Sequence, residues 1–180
     1  MTRHILIALF ATLLLASCSP SAQKRSADIQ KLETELKEDG KSGKTDSTKV
    51  KQLLAEYMAY AKAFPTDTTT AVYLVKSALF YQNIRKIDSA IYCYNEVYTK
   101  FPDYHKANLA LFSEAFLYGN DKHDLVKAKQ LYEEYLKKYP TSKMAPSAAM
   151  ELRTLGKSPE EVLAVIDSMR AAKKDSLSAK

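Results

Sequence analysis

One short segment of the sequence combines residue types that can bind metals. Residues 121–124 read Asp-Lys-His-Asp, so an imidazole lies close to two carboxylates. Imidazole and carboxylate groups together can hold a divalent metal ion. The segment also contains a lysine and lies in a polar connection between two apolar runs, which is typical of a solvated turn. We therefore interpret Asp121, His123 and Asp124 as turn residues, and we expect no metal site and no cofactor.

Two pairs of adjacent acidic residues, Glu133-Glu134 and Glu160-Glu161, would be candidates for acid–base catalysis. Neighbouring residues on a helix point about 100° apart, so the members of such a pair cannot share one substrate atom. The sequence contains no GxSxG, phosphate-loop, HExxH or CxxC motif. These observations predict that the protein is not an enzyme and that it has no small-molecule substrate.

The first eighteen residues have a different pattern. Arg3 and His4 precede an apolar run over residues 5–15, and small residues follow. This order is typical of a secretory signal peptide, and the run is shorter than the ~20 residues of a membrane-spanning helix. The segment Leu15-Ala16-Ser17-Cys18 resembles the lipobox of bacterial lipoproteins. The resemblance implies that residues 1–17 are removed and that lipid is attached to Cys18. The alternative is a plain cleaved signal peptide in which Cys18 is incidental.

The residues that follow Cys18 indicate to which membrane the predicted lipoprotein is sent. Residues 18–26 are polar and lack periodicity, so they are predicted to form a flexible tether. In the lipoproteins that this segment resembles, an aspartate directly after the cysteine favours the inner membrane, and Ser19 stands there instead. Acidic residues just after the cysteine direct some lipoproteins to the cell surface, but none precedes Asp28. We therefore expect an exported protein that is anchored to the outer membrane and faces the periplasm.

The prolines indicate a repeat. Pro65, Pro102 and Pro140 each follow an aromatic residue and each end an apolar periodic run. Proline disfavours helical geometry in the residue before it, so each aromatic–proline pair predicts the end of a helix. The spacing of the three pairs is nearly constant, at 37–38 residues. A fixed period of this length is typical of an array of helical repeats.

The segments between the prolines have the periodicity of helices. Residues 47–63, 71–83 and 87–100 each place apolar side chains on one face. Cys93 lies in the third segment and is expected to be a small buried hydrophobic residue without a disulfide partner. Eight helices in four hairpins are predicted for residues 27–172, in units at about 28–67, 71–104, 105–142 and 143–172. Residues 173–180 are predicted to be a disordered tail.

Residues 71–104 resemble a tetratricopeptide repeat and have its length of 34 residues. The next unit is counted from His105. The residues that match the packing positions of the repeat in these two units are Leu74, Ala78, Tyr81, Ala90, Tyr94, Pro102, Leu111, Ala128, Tyr132 and Pro140. Phe112 departs from the pattern because it stands where a small residue is usual. The resemblance implies an all-α fold, a right-handed superhelical stack of about four hairpins.

The resemblance also implies a groove lined by the first helix of each hairpin. The residues at the groove positions are Val72, Val75, Leu79, Gln82, Asn83, Lys106, Leu109, Ser113, Phe116 and Leu117. Such a surface would suit a helix or an extended segment of another protein. The alternative is that some of these residues only pack against a terminal helix. The lysine and asparagine with which chaperone-binding members hold a C-terminal carboxylate are absent.

Taken together, the sequence predicts an envelope lipoprotein that acts as an adaptor or scaffold for another protein, in outer-membrane or cell-envelope assembly. The alternative is a structural spacer between the outer membrane and the cell wall, without a specific client. The formal net charge of +6 is modest. No basic stripe interleaves with exposed aromatic residues, so nucleic acid is not an expected partner.

Overall fold

A computed structural model describes residues 21–41 and 46–178. Within these residues the chain forms helices and no strand. The helices are α1 (Ala22–Lys41), α2 (Ser47–Ala63), α3 (Thr68–Asn83), α4 (Ile87–Lys100), α5 (Ala107–Asn120), α6 (Leu125–Lys138), α7 (Ala145–Thr154) and α8 (Pro159–Ser178). The predicted signal peptide and Cys18 lie outside the described residues. None of the described helices has both the length and the apolar character needed to cross a bilayer.

The helices pair in chain order as four hairpins, α1–α2, α3–α4, α5–α6 and α7–α8. The second helix of each hairpin also packs against the first helix of the next, through α2–α3, α4–α5 and α6–α7 contacts. Each hairpin therefore contacts only its neighbours, as in a solenoid. The predicted all-α stack of four hairpins is confirmed for the part of the chain that the structure describes.

The aromatic–proline pairs end α2, α4 and α6, as predicted. In each pair the backbone N–H of the aromatic residue donates to the carbonyl four residues earlier, at 2.8–2.9 Å. The carbonyl of the same residue accepts from the N–H three residues later, at 3.0–3.1 Å. Proline follows and has no N–H to continue the helix. We call residues 64–67, 101–106 and 139–144 the joint turns, because they connect one hairpin to the next.

Polar side chains fix several helix starts. Asp46 Oδ1 accepts from the backbone N–H groups of Thr48 and Lys49, at 2.8 and 3.3 Å, at the start of α2. Asp67 and Asp124 cap α3 and α6 in the same way. At α8, Ser158 and Glu161 form a reciprocal capping box, with distances of 2.7 and 3.3 Å between each backbone nitrogen and the partner's side-chain oxygen.

The two ends of the stack differ from the prediction. Helix α1 begins at Ala22, so residues 22–26 are helical and the predicted tether over residues 18–26 is too long. The polar start of α1 is held by tertiary contacts, since Arg25 pairs with Glu56 on α2 at 3.1 Å. Helix α8 continues to Ser178, so most of the predicted disordered tail is helical. Both segments lack a strong apolar period. The sequence pattern therefore placed the start of the domain too late and its end too early.

The core runs as one cluster from α3 to α7, and a smaller tyrosine-rich cluster joins α1, α2 and α3. Most of the predicted packing residues are buried, Tyr81 is half-buried, and Pro102 and Pro140 are exposed in the joint turns. Cys93 is buried as expected, with its Sγ 3.9 Å from Met58 Sδ. The ring of Phe112 packs edge-on against the rings of Tyr132 and Tyr135, at centroid distances of 5.6 and 5.8 Å.

Candidate partner-binding surface

The joint turns fix which residues of α3 and α5 are equivalent. In the first joint turn the N–H of Thr70 donates to the carbonyl of Asp67, at 2.9 Å. In the second, the N–H of Ala107 donates to the carbonyl of Tyr104, at 2.7 Å. The same bond therefore recurs 37 residues later, so α5 is offset from α3 by 37 residues. The count from His105, which assumed 34 residues, placed the second unit three residues out of register. The small residue equivalent to Ala78 is Ala115, which is also 0% exposed, so the predicted departure at Phe112 was wrong.

In the corrected register, two pairs of apolar residues occupy equivalent positions. Val72 corresponds to Leu109, and Leu79 corresponds to Phe116. Leu79, Leu109 and Phe116 are 53%, 37% and 39% exposed, and Val72 is half-buried. The members on each helix are two turns apart, or about 10 Å. Equivalent positions of neighbouring hairpins face the same side of a solenoid. We call Val72, Leu79, Leu109 and Phe116 the apolar face.

Polar residues border the apolar face at one end. Asn83 and Asn120 are also equivalent, stand at the last positions of α3 and α5, and are exposed. Asn120 Nδ2 donates to the backbone carbonyl of Phe116 at 3.1 Å, which holds its amide against the last turn of α5. The sequence reasoning missed Asn120. The constant spacing of the aromatic–proline pairs was the signal that would have found it.

The other residues predicted for the groove lie in different surroundings. Val75 and Leu117 are only 5% and 1% exposed, so they belong to the core and must be removed from the predicted lining. Gln82 is half-buried, and its Oε1 accepts from the Tyr94 hydroxyl at 2.6 Å. Lys106 is exposed but lies in the second joint turn, just before α5 begins. The register error accounts for the placement of Lys106 and Leu117.

Helix α1 approaches α3 without covering the apolar face. The hydroxyls of Ser26 and Tyr73 are 2.8 Å apart, and Lys76 Nζ lies 2.6 Å from Glu33 Oε1. Lys76 also lies over the rings of Tyr57 and Tyr73, at 5.7 Å from each centroid. Helix α1 therefore contacts the side of α3 that carries Tyr73 and Lys76. Leu79 remains exposed beside it.

A buried carboxyl group lies where α4 meets α5. Glu114 is 2% exposed, and Asn95 Nδ2 approaches its two oxygens at 3.3 and 3.5 Å. Burial raises the pKa of Glu114, while the hydrogen bonds from Asn95 and Tyr98 and the nearby charge of Lys127 oppose this increase. Glu134 adds a smaller repulsive contribution. The group lies in the packed interface between helices, away from the exposed side chains of the apolar face.

The segment considered for metal binding forms the turn between α5 and α6. His123 has a positive φ of 54°, and Asp124 caps α6. Asp121 pairs with Arg85 of the preceding hairpin, at 2.7 Å. Over residues 21–41 and 46–178, no group of three or more histidine, cysteine or acidic side chains is arranged to hold a metal ion.

Comparison with known proteins identifies one segment of the chain. Residues 109–142 match the family model described as Tetratricopeptide repeat. A tetratricopeptide repeat is therefore present at these residues, which span most of α5, all of α6 and part of the third joint turn. Both apolar-face residues of α5 lie inside the matched segment. The search of curated proteins gave no match. The search of solved structures gave none either.

Proposed function

We propose, from the tetratricopeptide repeat at residues 109–142, that the protein is an adaptor that binds another protein through the apolar face. The observation that carries the proposal is the repetition of exposed apolar residues at equivalent positions of α3 and α5. A residue that only fills the core of a stack is buried, whereas Leu79, Leu109 and Phe116 are accessible. The tetratricopeptide repeat is a non-catalytic interaction repeat, which is compatible with a protein that is not an enzyme.

The chemistry of the face indicates what it can bind. Exposed leucine and phenylalanine side chains bordered by amides suit the apolar side of an amphipathic helix or an extended segment. Burying a fully exposed side chain of this kind contributes about 1.5–3 kcal/mol. Leu79 and Phe116 are 53% and 39% exposed, so covering both contributes roughly 1.5–3 kcal/mol in total, a part of the ~8 kcal/mol of a micromolar complex. Introducing a charge at the same place makes the partner bury an unpaired carboxylate.

Substitution on the face tests the proposal. Leu79→Glu combined with Phe116→Glu is expected to abolish capture of the partner by the tagged protein, while circular dichroism shows an unchanged helix content. Val126→Glu is the matched control, since Val126 is 71% exposed on α6, a second helix of a hairpin. The control variant should capture the partner normally. If the double variant captures the partner as well as Val126→Glu does, the apolar face is not the binding surface. That result would favour the structural spacer.

We further propose that the protein is a lipoprotein held in the outer membrane through Cys18, facing the periplasm, and that its partner belongs to outer-membrane or cell-envelope assembly. The support is the order of residues 1–18 and the lipobox-like segment that ends in Cys18. A Cys18→Ala variant should lose the acyl mass and leave the membrane fraction. Unchanged partitioning of that variant would exclude the anchor without affecting the adaptor proposal.

A further inference from the structure

The stack has two edges at which its helices begin and end. One edge holds the three joint turns, and the N-terminus of α1 lies beside the first of them, because Ala22 packs against the tyrosine cluster that contains Tyr60. We call this the joint edge. The opposite edge holds the turns inside the hairpins, and neighbouring turns there are linked by the Arg85–Asp121 and Lys122–Asp88 ion pairs. We call this the hairpin edge.

The joint edge is rich in lysine. Several of its lysines are exposed and have no carboxylate partner among the described residues: Lys24, Lys62, Lys106, Lys137 and Lys143. The acidic residues of the joint turns are two, Asp67 and Asp103. Two further lysines, Lys100 and Lys138, pair with glutamates of their own helices. Lysines at helix C-termini are also favoured by the helix dipole. Lys106 and Lys143 lie in joint turns outside the helices, so that explanation does not apply to them.

The hairpin edge is balanced in the described part of the chain. Its acidic residues are Glu38, Asp39, Asp46, Asp88, Asp121, Asp124, Glu160 and Glu161. Its basic residues are Lys41, Lys49, Arg85, Lys86, Lys122, Lys127, Arg153 and Lys157, of which four are already in ion pairs. The excess positive charge of the described helix ends is therefore concentrated at the joint edge. The basic end is the end at which α1 begins.

The proposed anchor lies at that same end. Cys18 precedes the first residue of α1, Ala22, by four positions, and four residues of fully extended chain span at most about 14 Å. Electrostatic attraction between exposed charges extends about 8–10 Å at moderate salt. An acyl group on Cys18 thus holds the N-terminus of α1, and the first joint turn beside it, close to the range at which headgroup charge acts.

We propose that the joint edge docks on anionic phospholipid headgroups of the membrane that holds Cys18. The lysine ammonium groups complement the headgroup phosphates, and the concentration of positive charge at the joint edge directs the balanced hairpin edge away from the bilayer. The helices then run away from the membrane and the apolar face stays open at its side. This inference rests on the proposed lipid anchor. It assigns to the exposed lysines of the joint edge, which we call the joint lysines, a role in orienting the stack.

Amine labelling of the acylated protein in vesicles tests the inference. The vesicles are phosphatidylcholine alone, or phosphatidylcholine with about one third phosphatidylglycerol, and acetylation of each lysine is read by mass spectrometry. We expect acetylation of Lys106 and Lys143 to fall about threefold or more in the anionic vesicles at low salt and to recover at high salt. Lys86 and Lys157, exposed turn lysines of the hairpin edge, are the matched controls and should label equally in both vesicles.

Equal labelling of Lys106 and Lys143 in both vesicle types would overturn the inference, as would an equal decrease at both edges. Failure of the anchor is seen separately, because the mass of the purified protein reports acylation. If the protein carries no acyl chain, the same vesicles are added to it in solution. A decrease confined to Lys106 and Lys143 in the anionic vesicles then still supports docking, and its absence overturns it.

Discussion

At the scale of single residues, two tyrosines of α6 differ in what their hydroxyls contact. Tyr132 and Tyr135 are both 0% exposed and lie nearly one helical turn apart. The Tyr135 hydroxyl is 2.8 Å from Ser142 Oγ in the third joint turn. The Tyr132 hydroxyl has no hydrogen-bond partner among the described residues. A buried polar group without a partner costs about 1–3 kcal/mol, so the two residues should respond differently to loss of the hydroxyl.

We expect Tyr132→Phe to stabilise the protein by up to about 1 kcal/mol, because it removes an unsatisfied hydroxyl and keeps the ring. Tyr135→Phe should destabilise it by about 1 kcal/mol, because it breaks the bond to Ser142. Urea denaturation followed by circular dichroism measures both values. If Tyr132→Phe costs as much as Tyr135→Phe, the Tyr132 hydroxyl has a partner and the packing described around it is wrong.

Glu114 provides a pH-dependent test at the same scale. Burial raises the pKa of this carboxyl above its ordinary value of 4.5, so the folded state binds its proton more tightly than the unfolded state. The stability due to this group is therefore fully present below pH 4.5 and is lost as the pH rises through the raised pKa. Asp46 and Asp67 act in the opposite direction, since backbone hydrogen bonds lower their pKa, but their contribution is lost only as the pH falls below 3.8.

Glu114→Gln should therefore gain stability relative to the unsubstituted protein as the pH rises from 4.5 to 7.5, reaching about 1 kcal/mol at neutral pH. The measurement is the free energy of unfolding at several pH values in this window. Glu133→Gln, at an exposed position of α6, is the control and should leave the pH dependence unchanged. A Glu114→Gln variant whose advantage shrinks with rising pH would show that the pKa of Glu114 is not raised by folding.

At the scale of helices and turns, the turns inside three hairpins each use a residue with positive φ. These residues are Arg85, His123 and Gly156, with φ values of 61°, 54° and 75°. Only glycine adopts this conformation without steric cost. A Cβ at Gly156 would lie 2.9 Å from Leu125 Cδ1, the end of an exposed side chain that can move aside, so it is the backbone conformation that favours glycine there.

We expect Gly156→Ala to destabilise the protein by about 1–3 kcal/mol through backbone strain at the positive φ. Gly40→Ala is the control, because a Cβ at Gly40 in the last turn of α1 meets nothing within 4 Å. That variant should be neutral or up to about 1 kcal/mol more stable. Thermal unfolding of the two variants compares them directly, and equal melting temperatures would count against the described α7–α8 turn.

The same scale shows what the sequence could and could not predict. Helices α2 and α4 begin and end where the apolar period and the aromatic–proline pairs placed them. The extents of α1 and α8 were underestimated, because their outer turns depend on individual contacts such as Arg25 with Glu56, which leave no period in the sequence. The groove residues were displaced on α5 because the joint turn adds three residues to the 34-residue unit. The 37-residue spacing of Pro65 and Pro102 already contained that offset, and the turn hydrogen bonds establish it.

At the scale of the whole molecule, three features lie on different parts of one helical stack. The core joins α3 to α7, the apolar face lies on the first helices of the two central hairpins, and the joint lysines lie at one edge. A stack gives this arrangement because equivalent residues of successive hairpins repeat at a fixed spacing. The proposed partner binding and the proposed membrane docking are therefore compatible, since the two surfaces share no residue.

Photo-crosslinking in the cell of origin tests the central claim most directly. A photo-reactive amino acid is placed at Leu79, at Phe116, or at the control position Tyr92, which is 54% exposed on α4. The account predicts that Leu79 and Phe116 capture the same partner, because they are equivalent positions of one face, and that Tyr92 does not. Capture of that partner from Tyr92 as efficiently as from Leu79 and Phe116, or no adduct at either face position, would contradict it.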